Sequence, residues 1–127
     1  MIVAGVGCRR GTSADEIERV VRLALSTFAL QPEQLGAIAT EEEKSREPGI
    51  PEAASRLSVR LMTCSKADLG HVAAQVLTHS EQALEAKGLP SIAEASALVV
   101  AGRNGRLLGT RVATERATCA IATGEGR

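Results

Sequence analysis

The β-branched run Ile2–Val6 leads into a glycine-rich turn, GVGCRRGTS, and then into apolar residues spaced three and four apart: Ile17, Val20, Val21, Ala24, Leu25 and Phe28. A run that is apolar at nearly every position predicts a strand covered on both faces, and the new spacing predicts an amphipathic helix from about Ser13 to Ala29. Ser13 with Glu16 three positions on has the capping-box pattern that starts such a helix. The unit then repeats. LGAIAT at Leu35–Thr40 reads as a second strand, Ala53, Ala54 and Leu57 after Pro51 as a second helix, and Val59–Met62 as a third strand. Parallel neighbours need a crossover and helices supply it. The expected fold is therefore α/β: a single three-layer domain with a mixed, mostly parallel sheet and helices on both faces.

The second half is patterned less regularly. Leu69, Val72, Val76 and Leu77 are interrupted by Gly70 and predict a short helix and loop, Ser80–Lys87 predicts a helix ended by Gly88, and Ser91 with Glu94 repeats the capping-box pattern ahead of an alanine-rich helix to Ala101. Gly102–Gly105 is a turn that launches two strands, Arg106–Ala113 and Thr118–Ala122, with a second turn at Thr114–Arg116. The domain is expected over residues 1–123, and the glycine-rich residues 124–127 are expected to form a frayed, flexible tail.

Composition narrows the function. With 127 residues and 44% hydrophobic content there is material for one core. Its 15 basic and 15 acidic residues cancel, and Phe28, the single aromatic, offers no stacking platform, so nucleic acid is not an expected partner. No apolar run approaches the roughly 20 residues of a membrane span, and the amino end lacks signal-peptide features, so a cytoplasmic location without membrane association is expected. Cys8, Cys64 and Cys119 are too far apart for a zinc site and odd in number for a disulfide framework. Cys64 and Cys119, beside apolar segments, read as core thiols, whereas Cys8 sits in the loop.

A turn from a buried strand into a helix start gathers backbone N–H groups and the positive end of the helix dipole, and Arg9 and Arg10 add two cationic forks. That combination points to an anion. The spacing G-x-G-x-x-x-G is one residue too long for a dinucleotide fingerprint, Asp15 and Glu16 would repel a pyrophosphate, and no lysine precedes Thr12 as a P-loop requires. Cys8 is the candidate nucleophile, since a helix start and neighbouring arginines favour thiolate. His71 and His79 read as surface or loop residues, and no metal or cofactor is implied. Ligands in open α/β sheets bind outside the carboxyl ends of the strands, which brings Thr40 and Lys44 beside the first loop, with Lys44 completing a basic rim. Glu41–Glu43 reads as a solvated acidic turn.

Four stretches in order, GVGCRRGTS, IATEEEKSREPG, PSIAEASAL and RATCAIA, resemble the CobE/CbiG carboxy-terminal domain family of cobalamin biosynthesis, over nearly the whole chain. In that family the domain is fused behind an enzyme that opens a lactone ring on a cobalt-precorrin and releases acetaldehyde, or it stands alone in the oxygen-dependent pathway. With nothing ahead of the domain, this chain resembles the stand-alone form. The resemblance implies a mixed-sheet α/β fold and a role in building the corrin ring. The family's motif residues carry over as Gly7, Cys8, Arg9, Gly11 and Thr12 in the first loop, Thr40 and Lys44 at the second, and Glu94 in the late helix, where it also reads as the capping partner of Ser91. The acidic run Glu41–Glu43 departs from the family pattern. With Arg10, these residues form the expected ligand-binding set.

A precorrin carries many carboxylates around its rim, and cationic forks with backbone donors suit it better than they suit a phosphate. The expected function is binding or carrying a precorrin intermediate, with other corrin-pathway enzymes as further partners. The alternative is a hydrolase acting on a precorrin lactone or acetyl group, with Cys8 or a water as nucleophile and Lys44 or Glu43 assisting proton transfer. A third reading is a module that docks on another pathway enzyme.

Overall fold

The computed structural model describes residues 1–78 and 91–127; the expected helix at Ser80–Lys87, and His79, lie outside these. Strand β1 (Ile2–Cys8) leads into helix α1 (Ala14–Thr27), β2 (Leu35–Glu41) into α2 (Gly49–Arg56), and β3 (Arg60–Cys64) into the short α3 (Lys66–His71). Helix α4 (Ile92–Ala101) is followed by β4 (Arg106–Leu107), β5 (Val112–Ala113) and β6 (Ala117–Thr123). Among the described residues no helix is long and apolar enough to cross a membrane.

The sheet order is β3-β2-β1-β6-β4, with β5 also paired to β6. β1 is parallel to β2, and β2 to β3, whereas β6 is antiparallel to β1 and to both β4 and β5. It follows that β6 alone of the described strands runs against the rest, which is the mixed, mostly parallel α/β sheet expected.

Side-chain alternation sorts the two faces by size. Ala4, Val6 and Ile38 point with Cys119 and Ile121 toward Ile17, Val20, Val21 and Leu25 of α1 and Ile50 and Ala53 of α2. Val3, Ala37, Ala39 and Ala122 point the other way, toward Ala95, Ala97 and Val100 of α4. The second face is paved with small residues, so α4 lies almost directly on the sheet. A Cβ on Gly5 would fall 2.0 Å from the Ala93 carbonyl oxygen and 2.7 Å from the Ala97 nitrogen.

Three expectations are corrected. The run Arg106–Ala113 is two short strands, because the chain turns away at Gly109, where a Cβ would stand 2.8 Å from the edge of the Phe28 ring. The tail is pinned: the amides of Gly124, Glu125 and Gly126 donate to the carbonyls of Met1, Arg103 and Ala101, and Arg127 bonds the Thr63 carbonyl and the Asp68 carboxylate. Its glycines permit close approach, since a Cβ on Gly124 would meet the Ala101 oxygen at 2.3 Å. Glu41 is no part of a solvated turn; it pairs with Cys64 at the carboxyl ends of β2 and β3 and is 2% exposed, while Glu42 and Glu43 are exposed.

Candidate functional site

The carboxyl ends of β1, β2 and β3 share one edge, and α1, α2 and α4 all begin there. A Cβ built on Gly7 would stand about 4 Å from Ile92 and Ala93, which places the start of α4 against the end of β1. The first loop is fixed by its neighbours. The Arg9 amide donates to the Arg116 carbonyl at 2.8 Å, the Arg116 guanidinium donates to the Arg10 carbonyl at 2.7 Å, and the Thr12 hydroxyl donates to the Arg9 carbonyl at 2.6 Å. Gly11 makes the turn with φ at +79°, a left-handed value that glycine adopts without strain.

Both expected helix caps form only in part. Ser13 accepts from the Glu16 amide and Ser91 from the Glu94 amide, as N-caps should. The glutamate halves go elsewhere. Glu16 accepts from the Thr114 hydroxyl at 2.8 Å and the Arg116 amide at 2.7 Å, and these bonds hold its carboxyl below the usual glutamate range. Fully buried Glu94 accepts from the amides of Leu77, Thr78 and Arg111 and from the Thr78 hydroxyl, all between 2.7 and 2.9 Å. A third glutamate, Glu47, accepts from the Gly11 amide at 2.9 Å. Loop amides without a secondary-structure partner must find an acceptor, and here carboxylates of the chain itself supply several.

This redistributes the roles of the expected site residues. Thr40 is fully buried with its hydroxyl donating to the Val6 carbonyl, Thr12 is 3% exposed, and Glu94 lies in the interior, so these three build the edge from within. Arg9, Arg10 and Gly11 are exposed and Gly7, Cys8 and Lys44 half-buried, with Lys44 close enough to Cys8 to act on its charge. Neither Arg9, Arg10 nor Lys44 forms an ion pair among the described residues, in contrast to Arg22, Arg56 and Arg127. The structure thus brings the first loop and Lys44 together. Sequence reading missed Glu47, Arg111 and Arg116, whose parts depend on distant loop amides and carbonyls.

The α1 side of the loop opens into a depression of about 330 Å³ lined by Asp15, Glu52 and Arg56 among others. Arg56 is already bonded to both carboxylates there, so this hollow does not attract an anion. Burial raises the Cys8 thiol, Lys44 lowers it, and Glu47 raises it again; the net shift is upward, so Cys8 is a thiol at neutral pH. Burial also pushes Cys64 up to about 11 and raises Cys119 further. Native protein treated with a small alkylating reagent should therefore take up one label, at Cys8, and three after unfolding, a count that mass spectrometry reads; labelling of Cys64 or Cys119 without unfolding would contradict the packing described.

Residues 2–122 match the model of the family described as Cobalamin synthesis G C-terminus. The chain is 31% identical over 121 residues to Protein CobE of Sinorhizobium sp., covering 95% of this chain and 79% of that one. It is 29% identical to the cobalt-precorrin-5A hydrolase of Priestia megaterium, with 80% of this chain matching 27% of the hydrolase. Among solved structures, CobE, a protein from the cobalamin biosynthetic pathway, superposes with a TM-score of 0.93 at 31% identity, covering 100% of this chain and 92% of that one. The cobalamin biosynthesis protein chiG of Agrobacterium tumefaciens gives 0.75 at 38% identity, covering 98% and 99%. The chain belongs to the Cobalamin synthesis G C-terminus family, and its place is in cobalamin biosynthesis.

Proposed function

We propose that this protein binds a carboxylate-rich precorrin intermediate at the edge formed by Gly7–Thr12 and Lys44, holding it without transforming it. The observation that carries this reading is the exposed pair Arg9 and Arg10 beside Lys44, cations with no ion-pair partner among the described residues, on a loop whose backbone is pinned by Arg116. Since Glu47 already occupies the Gly11 amide, ligand carboxylates are met chiefly by guanidinium and ammonium groups. A planar macrocycle lies across the edge and its side-chain carboxylates reach the rim. The name of one relative, a hydrolase of a cobalt-precorrin, supports the ligand class.

The hydrolytic alternative has two candidate nucleophiles, Cys8 or a water, with Lys44 or Glu43 assisting proton transfer, and the first of them is disfavoured. A thiol held protonated by burial is a poor nucleophile, and the nearby Glu47 carboxylate is engaged by the Gly11 amide. Binding is the better-supported activity.

A spectroscopic titration with a series of precorrin and corrin intermediates tests the proposal. Wild type should bind one or a few members, and Arg9→Ala/Arg10→Ala should weaken that binding roughly ten- to a hundredfold, the loss expected when charge-assisted hydrogen bonds are removed. No binding by wild type, or equal binding by a folded double variant, would sink the proposal. A spectral change that continues after saturation would mark turnover and revive the hydrolase.

A further inference from the structure

We propose that Glu47 is a built-in stand-in for a ligand carboxylate, seated on the Gly11 amide and displaced when a ligand enters; this deepens the reading above and rests on the loop being a carboxylate site. Several observations single it out. Its Oε2 accepts from the Gly11 amide at 2.9 Å across a sequence separation of 36, a long-range contact from the segment that also carries Lys44. Gly11 is exposed, and a Cβ built on it meets nothing within 4 Å, so the space beside this donor is open to an incoming group. The bond is solvent-exposed, whereas those of Glu94 are part-buried and made in fourfold. Glu94 is locked and Glu47 is exchangeable.

The local chain explains why a glutamate can sit there and leave again. Lys44–Arg46 forms a single 3-10 turn, and Glu47 follows it in extended conformation with its amide on the Lys44 carbonyl at 3.0 Å. Only its side chain needs to rotate for the Gly11 donor to be freed. Seated there, the carboxylate satisfies that donor and offsets the positive charge of Lys44 and the arginine pair. A ligand carboxylate takes over the same hydrogen bond. The competition lowers affinity for any single small acid and favours a ligand with several carboxylates, because only a multiply attached ligand recovers the cost of displacement.

The test uses the full chain with Glu47→Ala, Glu47→Gln and, as a charge control, Glu42→Ala, whose side chain is exposed on the adjoining turn. Affinity for a polycarboxylate tetrapyrrole should rise about three- to tenfold in Glu47→Ala and at least about twofold in Glu47→Gln, the scale of one competing charge-assisted hydrogen bond. Glu42→Ala should change it by less than about twofold. A second readout needs no tetrapyrrole: the rate of Cys8 alkylation by iodoacetate divided by that by iodoacetamide should rise in Glu47→Ala, because the freed Gly11 amide can donate to the reagent's carboxylate.

If neither wild type nor variant binds any tetrapyrrole while the rate ratio rises, Glu47 stands as the stand-in and the tetrapyrrole reading falls. An unchanged ratio in folded variants, or one matched by Glu42→Ala, overturns the proposal. So does unchanged or weaker tetrapyrrole affinity in a Glu47 variant that binds.

Discussion

Gly5→Ala should lower the unfolding free energy by about 3 kcal/mol or more, the upper end of what overpacking a core costs. The added methyl would stand 2.0 Å from the Ala93 oxygen, 2.7 Å from the Ala97 nitrogen and 2.8 Å from the Ser96 hydroxyl. Two of these are backbone atoms of one helix and cannot step aside singly. Relief requires α4 to lift off the sheet, which loosens Ala95, Ala97 and Val100 from Val3, Ala37 and Ala39 and leaves the Ser96 hydroxyl farther from the Ala39 carbonyl. Alanine is otherwise the better residue in a strand, so intrinsic preference works against the expected sign and packing decides it. Gly11→Ala is the internal comparison. There the penalty is a left-handed backbone with open space around it, about 1 kcal/mol. Urea denaturation of both variants measures the difference; Gly5→Ala within about 1 kcal/mol of wild type would refute the direct seating of α4 on β1.

The two glycines also show what was legible in the sequence. GVGCRRGTS announced a strand-to-helix turn, and so it is, but its pattern invites one explanation for every glycine. Gly5 makes room for a helix that arrives much later in the chain, while Gly11 supplies a positive φ. Periodicity revealed β1, α1, β2 and β3 because each buries a face of its own making. The caps were legible as far as the serines, whose bonds are local; Glu16 and Glu94 were drawn off by amides about a hundred residues away in one case and 16 and 17 away in the other. The split between β4 and β5 depends on the Phe28 ring, and the pinned tail on Ala101 and Arg103, so neither had a local signal. Of the candidate site, the exposed cations were readable from the sequence. The acceptors that already occupy its amides were not.

Removing one of those acceptors should have the second large effect. Glu94→Ala strands the amides of Leu77, Thr78 and Arg111 together with the Thr78 hydroxyl, and is expected to cost about 3 kcal/mol, a fall in Tm of roughly 10 °C. Glu94→Gln retains the shape and one acceptor oxygen but turns an NH₂ toward donors, and should cost about 2 kcal/mol. The pH dependence separates this carboxylate from a simple space-filler. Burial alone would raise its pKa, but the Thr78 hydroxyl and the amides of Thr78, Arg111 and Leu77 prevail and hold it below the usual glutamate range. A folded-state value below the unfolded one means the stabilisation is fully present above the unfolded pKa and is lost as pH falls through the folded value. The stability gap between wild type and Glu94→Gln should accordingly be complete at neutral pH and narrow in acid below about pH 4. Glu16, held low by the Thr114 hydroxyl and the Arg116 amide, titrates in the same direction in both proteins, so the difference between the curves reports Glu94. A gap that stays constant down to pH 3 would mean that the interior carboxylate is not ionised, and that the start of α4, the Leu77–Thr78 segment and Arg111 are held together by packing instead.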